Sequence, residues 1–437
     1  MSSGKYAVSV IKYDKTANVL ARAVELCDGF KELKSTDKVL LKPNIVWGSK
    51  SKKFPKYGLI TTARIIEDII ILLRQYGCQD ISLGEGTIED EELGSHTMEG
   101  YKWSGMERVA KKYGVKLIDF NKGPFQEVNL DGDKIKIASA AMEANFLINV
   151  PVLKTHYQCQ VSLGLKNLKG CLQMSSRRAF HQKDLHTMIA LLNKSVIPKL
   201  TIIDGIYAME HGPGAMGTAH RMNLIIAGRD SLSCDIVGSA ILGIDSAYVE
   251  HLQDFARLHN RKLDISTVDI NGEKIGDVAK KLGWEFDYKN VFRRASIKGI
   301  SFQYPGTHYC TLCAAHTDAV LLAYCTDNEG MSFDGVEICV GGDIKPRQDS
   351  KKMLLFGECS IKANKNLEGA IQVKGCPPKA GEMLVALYYN TLPKGRATRL
   401  VLERIAKTFG HKIGIYDERF TPHPKYAPPE FDKNDFV

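Results

Sequence analysis

Short β-branched runs alternate with amphipathic helical patterns through the first two thirds of this chain. VLLKPNIV (39–46) has the pattern of a buried strand, a helical pattern follows from Thr61 or Thr62 to Gly77, and DISLGEG (80–86) is the next strand. The alternation continues with strands at 115–120, 146–150, 200–204 and 223–228 and helices at 104–113, 185–195, 231–242, 247–259 and 276–283. Because this order makes neighbouring strands parallel with helices on the sheet faces, it predicts an α/β fold with a mainly parallel sheet flanked by helices.

The length of the chain indicates more than one core. With 437 residues and 44% hydrophobic content, it exceeds what a single core usually holds. Composition shifts around residues 290–307, and six of the eleven cysteines follow that shift. We therefore predict an anion- or substrate-binding α/β domain at 1–290, a smaller iron–sulfur α/β domain at 291–420 and an extended, proline-rich tail at 421–437.

Targeting signals are missing from the sequence as it stands. The start, MSSGKYAVSVIKYD, becomes polar within a few residues, unlike a secretory signal, and no apolar run approaches the length of a membrane span. We expect a cytoplasmic protein in which thiols stay reduced. The cysteines are then metal ligands or core residues rather than disulfides.

Positive charge is concentrated in one segment. The formal net charge is +9, and the stretch 149–186 contributes six Lys and Arg residues against one Asp, which is +5. A balance of this size favours long-range attraction to anions. Nucleic acid is a weaker interpretation, because few aromatic residues interleave with these charges.

Polar residues stand at the ends of several predicted strands. In open α/β sheets, ligands bind beyond the carboxyl ends of the strands, so these side chains should converge on one crevice. Burying an anion there requires charged partners. We predict Lys154 and His156 as catalytic residues, His156 for proton transfer because its reference pKa lies near neutrality. The predicted substrate-binding residues are Lys42, Asn44, Glu85, Lys166, Asn167, Lys169 and Asp204.

One glycine pattern is misleading. Residues 212–217 satisfy GxGxxG, but the dinucleotide fingerprint must follow a strand directly and open a helix, whereas here a strand follows. The loop is better interpreted as backbone N–H groups that could face an anion.

The last third of the chain contains the clearest metal signal. Cys310 and Cys313 form a CxxC pair, and Cys359 and Cys376 each follow a short apolar run. Together they predict a [4Fe–4S] cluster, with structural zinc or ordinary core thiols as alternatives. Cys339 is the reserve ligand, and His316 is interpreted as a helix-start residue.

The other cysteines and two histidines carry less information. Cys27, Cys78, Cys234 and Cys325 are typical of packing, while Cys159 and Cys171 flank the cationic loop and could contact a ligand. His181 and His186 are five residues apart, a poor spacing for one metal on a helix face.

Several segments resemble a known family in order and spacing. LKPNIV, GEGT, INVPVLKTH, SLGLKNLKG, IIDGIYAMEHGPGAMG and AGRDSLSCDIVGSAILG, within roughly 38–285, are similar to the family called domain of unknown function 362. Members of that family are often iron–sulfur proteins, although this chain lacks the ferredoxin insert that some carry. VKGCPPKAGEMLVAL also resembles the cluster-binding segment of small subunits of hydrogenases and of the quinone-reducing respiratory complex.

These observations predict an oxygen-sensitive, anaerobic-type oxidoreductase with a [4Fe–4S] cluster that acts on an anionic carboxylate or phosphate substrate. Three alternatives remain open: a cluster-assisted lyase or dehydratase, a non-catalytic anion-binding or scaffold protein with a structural metal, and a phosphate-transferring enzyme. As partners we expect the small anionic substrate and an electron-donor protein, with a homo-oligomer left open. Neither a membrane nor nucleic acid is expected.

Overall fold

The computed structural model describes residues 6–48, 56–91, 94–213, 217–285, 289–303, 306–408 and 431–436. The chain divides into two compact units. The first unit comprises Met1–Glu89, Ser95–Glu285 and His423–Val437, and the second comprises Asp90–Gly94 and Phe286–Pro422.

The first unit is built on a ten-stranded sheet and a separate two-stranded hairpin. Its strands are β1 (Tyr6–Lys12), β2 (Val39–Lys42), β3 (Ile81–Glu85), β4 (Lys116–Asp119), β5 (Phe125–Leu130), β6 (Asp133–Ala138), β7 (Phe146–Asn149), β8 (Val152–His156), β9 (Gln160–Val161), β10 (Leu200–Glu210), β11 (Thr218–Gly228) and β12 (Val268–Gly272). The main path is β12-β1-β11-β10-β7-β2-β3-β4, with β8 also paired to β10. Strands β10, β7, β2, β3 and β4 are parallel along this path.

Helices cover both faces of this sheet. They are α1 (Ala17–Leu26), α2 (Ala63–Gln75), α3 (Thr97–Ser104), α4 (Met106–Tyr113), α5 (Ser139–Glu143), α6 (Gly164–Asn167), α7 (Met174–Ala179), α8 (Leu185–Ser195), α9 (Ser231–Ile241), α10 (Glu250–Leu258) and α11 (Ile275–Val278). Successive strand residues point to opposite faces, so Leu40 joins one apolar cluster with α8, α9 and α10. Val39 and Leu41 join the other cluster, with α1, α2 and α4.

The second unit is smaller and also α/β. Its elements are α12 (Lys289–Arg294), β13 (Lys298–Phe302), α13 (Thr311–Asp327), β14 (Ser332–Val340), β15 (Lys352–Phe356), α14 (Glu358–Ala363), β16 (Ile371–Val373), α15 (Ala380–Thr391) and α16 (Lys394–Thr408). The four strands pair in chain order and all pairs are parallel, so their carboxyl ends lie at one edge. The predicted fold class is confirmed in both units.

The direction of one strand was not predicted, and one predicted helix was wrong. Strand β11 is antiparallel to both neighbours, because β10 and β11 form a long hairpin rather than a crossover. The helical pattern at 276–283 yields only the single turn α11, and residues 279–283 lie outside any helix. The predicted cap of α2 is confirmed, since the hydroxyl of Thr62 accepts from the N–H of Ile65 at 3.3 Å.

Part of the predicted tail packs into the first unit. Residues 421–430 and 437 lie outside the described residues, but Lys433–Phe436 forms a short 3-10 helix. Phe436 belongs to the same apolar cluster as Tyr207, whose hydroxyl donates to Asp435 at 2.7 Å. Across the described ranges, no helix has both the length and the apolar content needed to cross a membrane.

Candidate anion site and candidate metal centres

The predicted polar residues at the ends of β2 and β3 form a buried ion pair. The ammonium of Lys42, the last residue of β2, lies 2.8 Å from a carboxylate oxygen of Glu85, the last residue of β3. Lys42 Nζ also donates to the carbonyl of Pro43 at 2.8 Å and to Oδ1 of Asn167 at 3.2 Å. Glu85 accepts from the N–H groups of Ile45 and Gly86. Because these donors and acceptors are engaged, the pair holds the strand ends in place.

A chain of amides joins this ion pair to Lys154. Lys154 Nζ donates to Asn44 Oδ1 at 2.7 Å, and Asn44 Nδ2 donates to Asn167 Oδ1 at 2.8 Å. Asn167 Nδ2 in turn donates to Asn149 Oδ1 at 2.8 Å. The structure thus brings Lys42, Asn44, Lys154 and Asn167 into one hydrogen-bonded network, and these links fix the orientation of each amide.

Asp204 serves a neighbouring helix start. Its carboxylate accepts from the N–H and hydroxyl of Thr62 at 2.7 and 2.9 Å and from the N–H of Ile206 at 3.1 Å. Burial raises the pKa of this carboxyl to about 6. Through these contacts, Asp204 stabilises the N-terminus of α2.

Lys154 and His156 lie on β8 and are both buried. Burial, followed by the charges of Lys166 and Lys42, holds the pKa of Lys154 well below its usual value. The pKa of His156 is also well below its usual value, because of burial and then the charges of Lys166 and Lys154. His156 Nδ1 accepts from the N–H of Gln158 at 3.0 Å, so the neutral ring carries its proton on Nε2. The sequence alone predicts a pKa near neutrality for His156, but the pKa in the folded protein is well below that value.

Lys166 and Lys169 differ in how they are partnered. Lys169 Nζ lies 3.0 Å from His181 Nε2 and 5.6 Å from the centre of the Phe180 ring. For Lys166, on α6, the described residues provide no ion-pair partner, and burial lowers the pKa of its ammonium. Lys166 thus adds a partly buried positive charge with no ion-pair partner among the described residues.

Sequence reasoning missed two residues that shape this site. Asp235 on α9 accepts from the N–H groups of Gly164 and Leu165 at 2.6 and 2.9 Å and so anchors the turn that carries Lys166 and Asn167. Arg177 donates to the carbonyls of Gly86 and Leu172 at 2.6 and 2.8 Å. No local pattern marks either residue, because both act on backbone atoms of distant segments.

Gly170, the glycine of the LKNLKG stretch, lies against the buried ion pair of Lys42 and Glu85. A Cβ at this position would lie 2.2 Å from Glu85 Oε1 and 2.5 Å from Lys42 Nζ. Any side chain there would displace the buried ion pair.

A separate group in the first unit could hold a metal ion. Cys159, His186 and His251 offer ligand atoms that all lie within 4.8 Å of one another, and all three residues are buried. Among the described residues, no other set of three or more His, Cys, Asp or Glu side chains meets this distance. The sequence pointed to Cys159 as a ligand contact but compared His186 with His181, which instead contacts Lys169.

The four predicted cluster ligands come together in the second unit. Cys310 caps the N-terminus of α13, Cys313 lies in its first turn, Cys359 lies in α14 after β15, and Cys376 follows β16. The pKa of Cys313 is raised well above its usual value by a hydrogen bond with Cys310, then by burial and by the charges of the other three thiolates. Burial and the thiolates of Cys376 and Cys310 raise the pKa of Cys359.

His316 and Cys339 lie outside the ligand set. His316 Nδ1 is 2.8 Å from the carbonyl of Pro378 and Nε2 is 2.7 Å from Asp90, so both ring nitrogens are engaged. The contact with Pro378 fixes the loop that carries Cys376. The pKa of Cys339 is raised to about 12 by burial and then by Glu337, with no contribution from the four thiols.

Comparison with known proteins identifies a domain in the part of the chain that contains the anion site. Residues 39–240 match the family model described as Domain of unknown function (DUF362). The chain carries a DUF362 domain. The Thylakoid-associated protein sll1697 of Synechocystis sp. is 26% identical over 232 residues, which span 52% of this chain and 69% of that protein.

Two solved structures show only a distant likeness. The lactate racemase apoprotein from Thermoanaerobacterium thermosaccharolyticum has a TM-score of 0.36 at 11% identity, covering 97% of this chain and 95% of that chain. A structural-genomics protein from Thermotoga maritima has a TM-score of 0.33 at 11% identity, covering 75% and 72%. At these scores neither structure bears on function.

The DUF362 domain contains the whole anion network, from Lys42 to Asp235. It ends before His251 and before the four cysteines of the second unit. The iron–sulfur character and the likeness of the GCPP segment to hydrogenase subunits therefore stay predictions.

Proposed function

We propose that this protein is a [4Fe–4S]-dependent oxidoreductase that binds an anionic organic substrate in its DUF362 domain. The observation that carries the proposal is the convergence of Cys310, Cys313, Cys359 and Cys376 at one edge of a parallel sheet, where their charges raise the pKa values of Cys313 and Cys359. Thiols that disfavour one another's ionisation are stabilised when a metal centre takes their negative charge.

The donor set fits an iron–sulfur cluster better than a single ion. All four donors are cysteine sulfurs, and zinc sites of this kind usually have two closely spaced cysteine pairs, whereas sixteen residues separate Cys359 from Cys376. Such a cluster supplies one-electron transfer when bound. Four protein thiolates leave no iron open to a substrate, which favours redox chemistry over the lyase or dehydratase alternative.

Lys166 and His156 supply the recognition of an anion. Lys166 brings a partly buried charge with no ion-pair partner among the described residues, and its field acts on His156 and Lys154. The Nε2–H of neutral His156 is a donor toward a carboxylate or phosphate oxygen. A bound anion would offset the repulsion among these cations, so its binding free energy includes relief of that repulsion.

Lys154 is the stronger candidate for proton transfer. Its pKa is held well below the usual lysine value, which brings the ammonium nearer to release of a proton at neutral pH. A neutral amine keeps two N–H groups and one lone pair. Asn44 Oδ1 and the carbonyl of Leu59 accept from Lys154 Nζ at 2.7 and 2.6 Å, so the lone pair is left for a proton of the substrate.

The cluster is tested first by anaerobic purification of the full chain. We expect iron and labile sulfide in near-equal amounts and a broad visible absorption that bleaches with dithionite. Stoichiometric zinc without sulfide would contradict the proposal and favour the scaffold alternative.

The anion site is tested by calorimetric titration with small carboxylates and inorganic phosphate. Lys166→Ala should weaken binding by about 1–3 kcal/mol, the scale of a hydrogen bond to a charged group. Lys183→Ala is the matched control, because this lysine belongs to the same basic segment but its side chain is 55% exposed beside Asp133. Unchanged affinity in a variant with Lys154, Lys166 and Lys169 all replaced by Ala would refute the anion site.

A further inference from the structure

Three metal-binding side chains are gathered between helices α8 and α10 and the turn after β8. Cys159 is 1% exposed, His186 is 6% exposed and His251 is fully buried. The two imidazole rings are stacked, with centroids 5.9 Å apart. Histidine is rarely buried without a partner, so two such rings beside a thiol require a physical reason.

Three of the four ring nitrogens in this group lack hydrogen-bond partners among the described residues. His186 Nδ1 and both nitrogens of His251 are buried and accept or donate no hydrogen bond among the described residues. Leaving buried polar atoms unsatisfied is costly. A metal ion bound by these nitrogens would remove most of that cost.

Glu250 orients one of the two rings. Its carboxylate lies 3.3 Å from His186 Nε2, and Nδ1 of that ring is buried with no hydrogen-bond partner among the described residues. Metal-bound histidines commonly donate their other N–H to a carboxylate, which sets the ring orientation and raises the basicity of the ligand nitrogen. The position of Glu250 therefore points independently to a metal at Nδ1.

We infer that Cys159, His186 and His251 bind one transition-metal dication of the zinc class, separate from the four-cysteine centre. One thiolate and two imidazoles are ligands that zinc accepts, and three protein ligands leave a fourth position open. The inference depends on this geometry and not on the proposed oxidoreductase activity.

The charge near this site indicates what the fourth position takes. A dication with one thiolate keeps one net positive charge, and the carboxylate of Glu250 lies beside His186 Nε2 at 3.3 Å. The fourth position can therefore take a neutral water molecule or an anionic oxygen.

The test is a cobalt titration of the full chain after removal of bound metal with a chelator. We expect one equivalent of Co²⁺ with tetrahedral visible bands and a charge-transfer band from a single thiolate, displaced by Zn²⁺. Cys159→Ser should abolish that band, and Cys376→Ser should leave it unchanged.

A second variant avoids the risk that a buried substitution unfolds the protein. The side chain of Glu250 is 69% exposed, so Glu250→Ala should fold normally and bind Co²⁺ about 10–100-fold more weakly. Wild-type cobalt affinity in both Cys159→Ser and Glu250→Ala would overturn the inference, as would loss of the band in Cys376→Ser alone.

Discussion

The two candidate sites differ in how far the protein completes them. In the first unit, Lys42 has a carboxylate partner at 2.8 Å, and the surrounding amides are bonded to one another. In the second unit, the charged neighbours of Cys313 and Cys359 are mainly other thiols. Each thiolate makes ionisation of the neighbouring thiols less favourable. The first site is preformed, whereas the second requires a bound metal to become favourable.

This contrast shows which site depends on its ligand for stability. A network whose charges are internally paired keeps its geometry without a substrate. A group of converging thiols gains most of its order from the metal that binds it. Substitutions in the Lys42–Glu85 network should therefore affect folding, whereas substitutions of the four thiols should affect metal content.

The largest effect is expected from Cys376→Ser. Because one of four thiolate ligands is removed, this variant should lose most of its iron and labile sulfide when purified anaerobically. The measurement is iron and sulfide per chain beside the wild type. The first unit should stay folded, and tryptophan fluorescence can check this because Trp47, Trp103 and Trp284 all lie in that unit.

Cys339→Ser is the matched control, since Cys339 belongs to the same unit but shows no interaction with the four thiols. It should keep its iron. Full iron in Cys376→Ser together with loss in Cys339→Ser would mean that the fourth ligand was chosen wrongly.

Lys42→Met should destabilise the first unit by about 3–5 kcal/mol, because it leaves the buried carboxylate of Glu85 without its cation. Urea unfolding followed by tryptophan fluorescence measures this change. Adding Glu85→Gln should recover part of the loss, because the double variant has no unpaired buried charge.

An exposed ion pair provides the control for that prediction. Lys111 and Glu107 pair at 3.4 Å on α4, with 74% of the lysine side chain exposed. Lys111→Met should change the free energy of unfolding by less than about 0.5 kcal/mol. If Lys42→Met were equally mild, the preformed character of the first site would be disproved.

The smallest expected effect is a change in pH dependence. Burial raises the pKa of Asp235 from 3.8 to about 7, so between these pH values the folded state holds a proton that the unfolded state has released. Stability contributed by this group is full below pH 3.8 and falls as pH rises through about 7. Asp235→Asn should therefore flatten the decline in the free energy of unfolding over that range.

Asp131→Asn is the control for the pH experiment. Asp131 is exposed in a turn with φ of 52°, a conformation that Asn tolerates. Its pH profile should follow the wild type. An unaltered slope in Asp235→Asn would show that the carboxyl is not protonated in the folded state near neutral pH.

The fold was largely predictable because helical and strand periodicity are local properties. Helix α8 was predicted at 185–195 and lies at Leu185–Ser195, and the cap of α2 was identified at Thr61 or Thr62. The direction of β11 was not predictable, because strand pairing depends on the hairpin with β10 and not on the pattern within either strand.

The candidate sites were predictable only in part. The ends of the predicted strands identified Lys42 and Glu85 as site residues. They did not indicate that these residues, 43 positions apart, pair with each other and neutralise each other's charge. The group of Cys159, His186 and His251 was missed because three separate segments bring it together. A CxxC motif is visible in a sequence, whereas a ligand set without a repeated spacing is not.

The buried position of Phe436 has a consequence for synthesis of the chain. Phe436 fills the core of the first unit beside Tyr207, yet the main segment of the second unit, Phe286–Pro422, lies between these residues in the sequence. A ribosome that adds about 5–20 residues per second needs roughly 7–30 s to pass from residue 285 to residue 431. During that interval the nascent first unit exposes an apolar surface, where we expect a chaperone to bind until the last aromatic residues arrive.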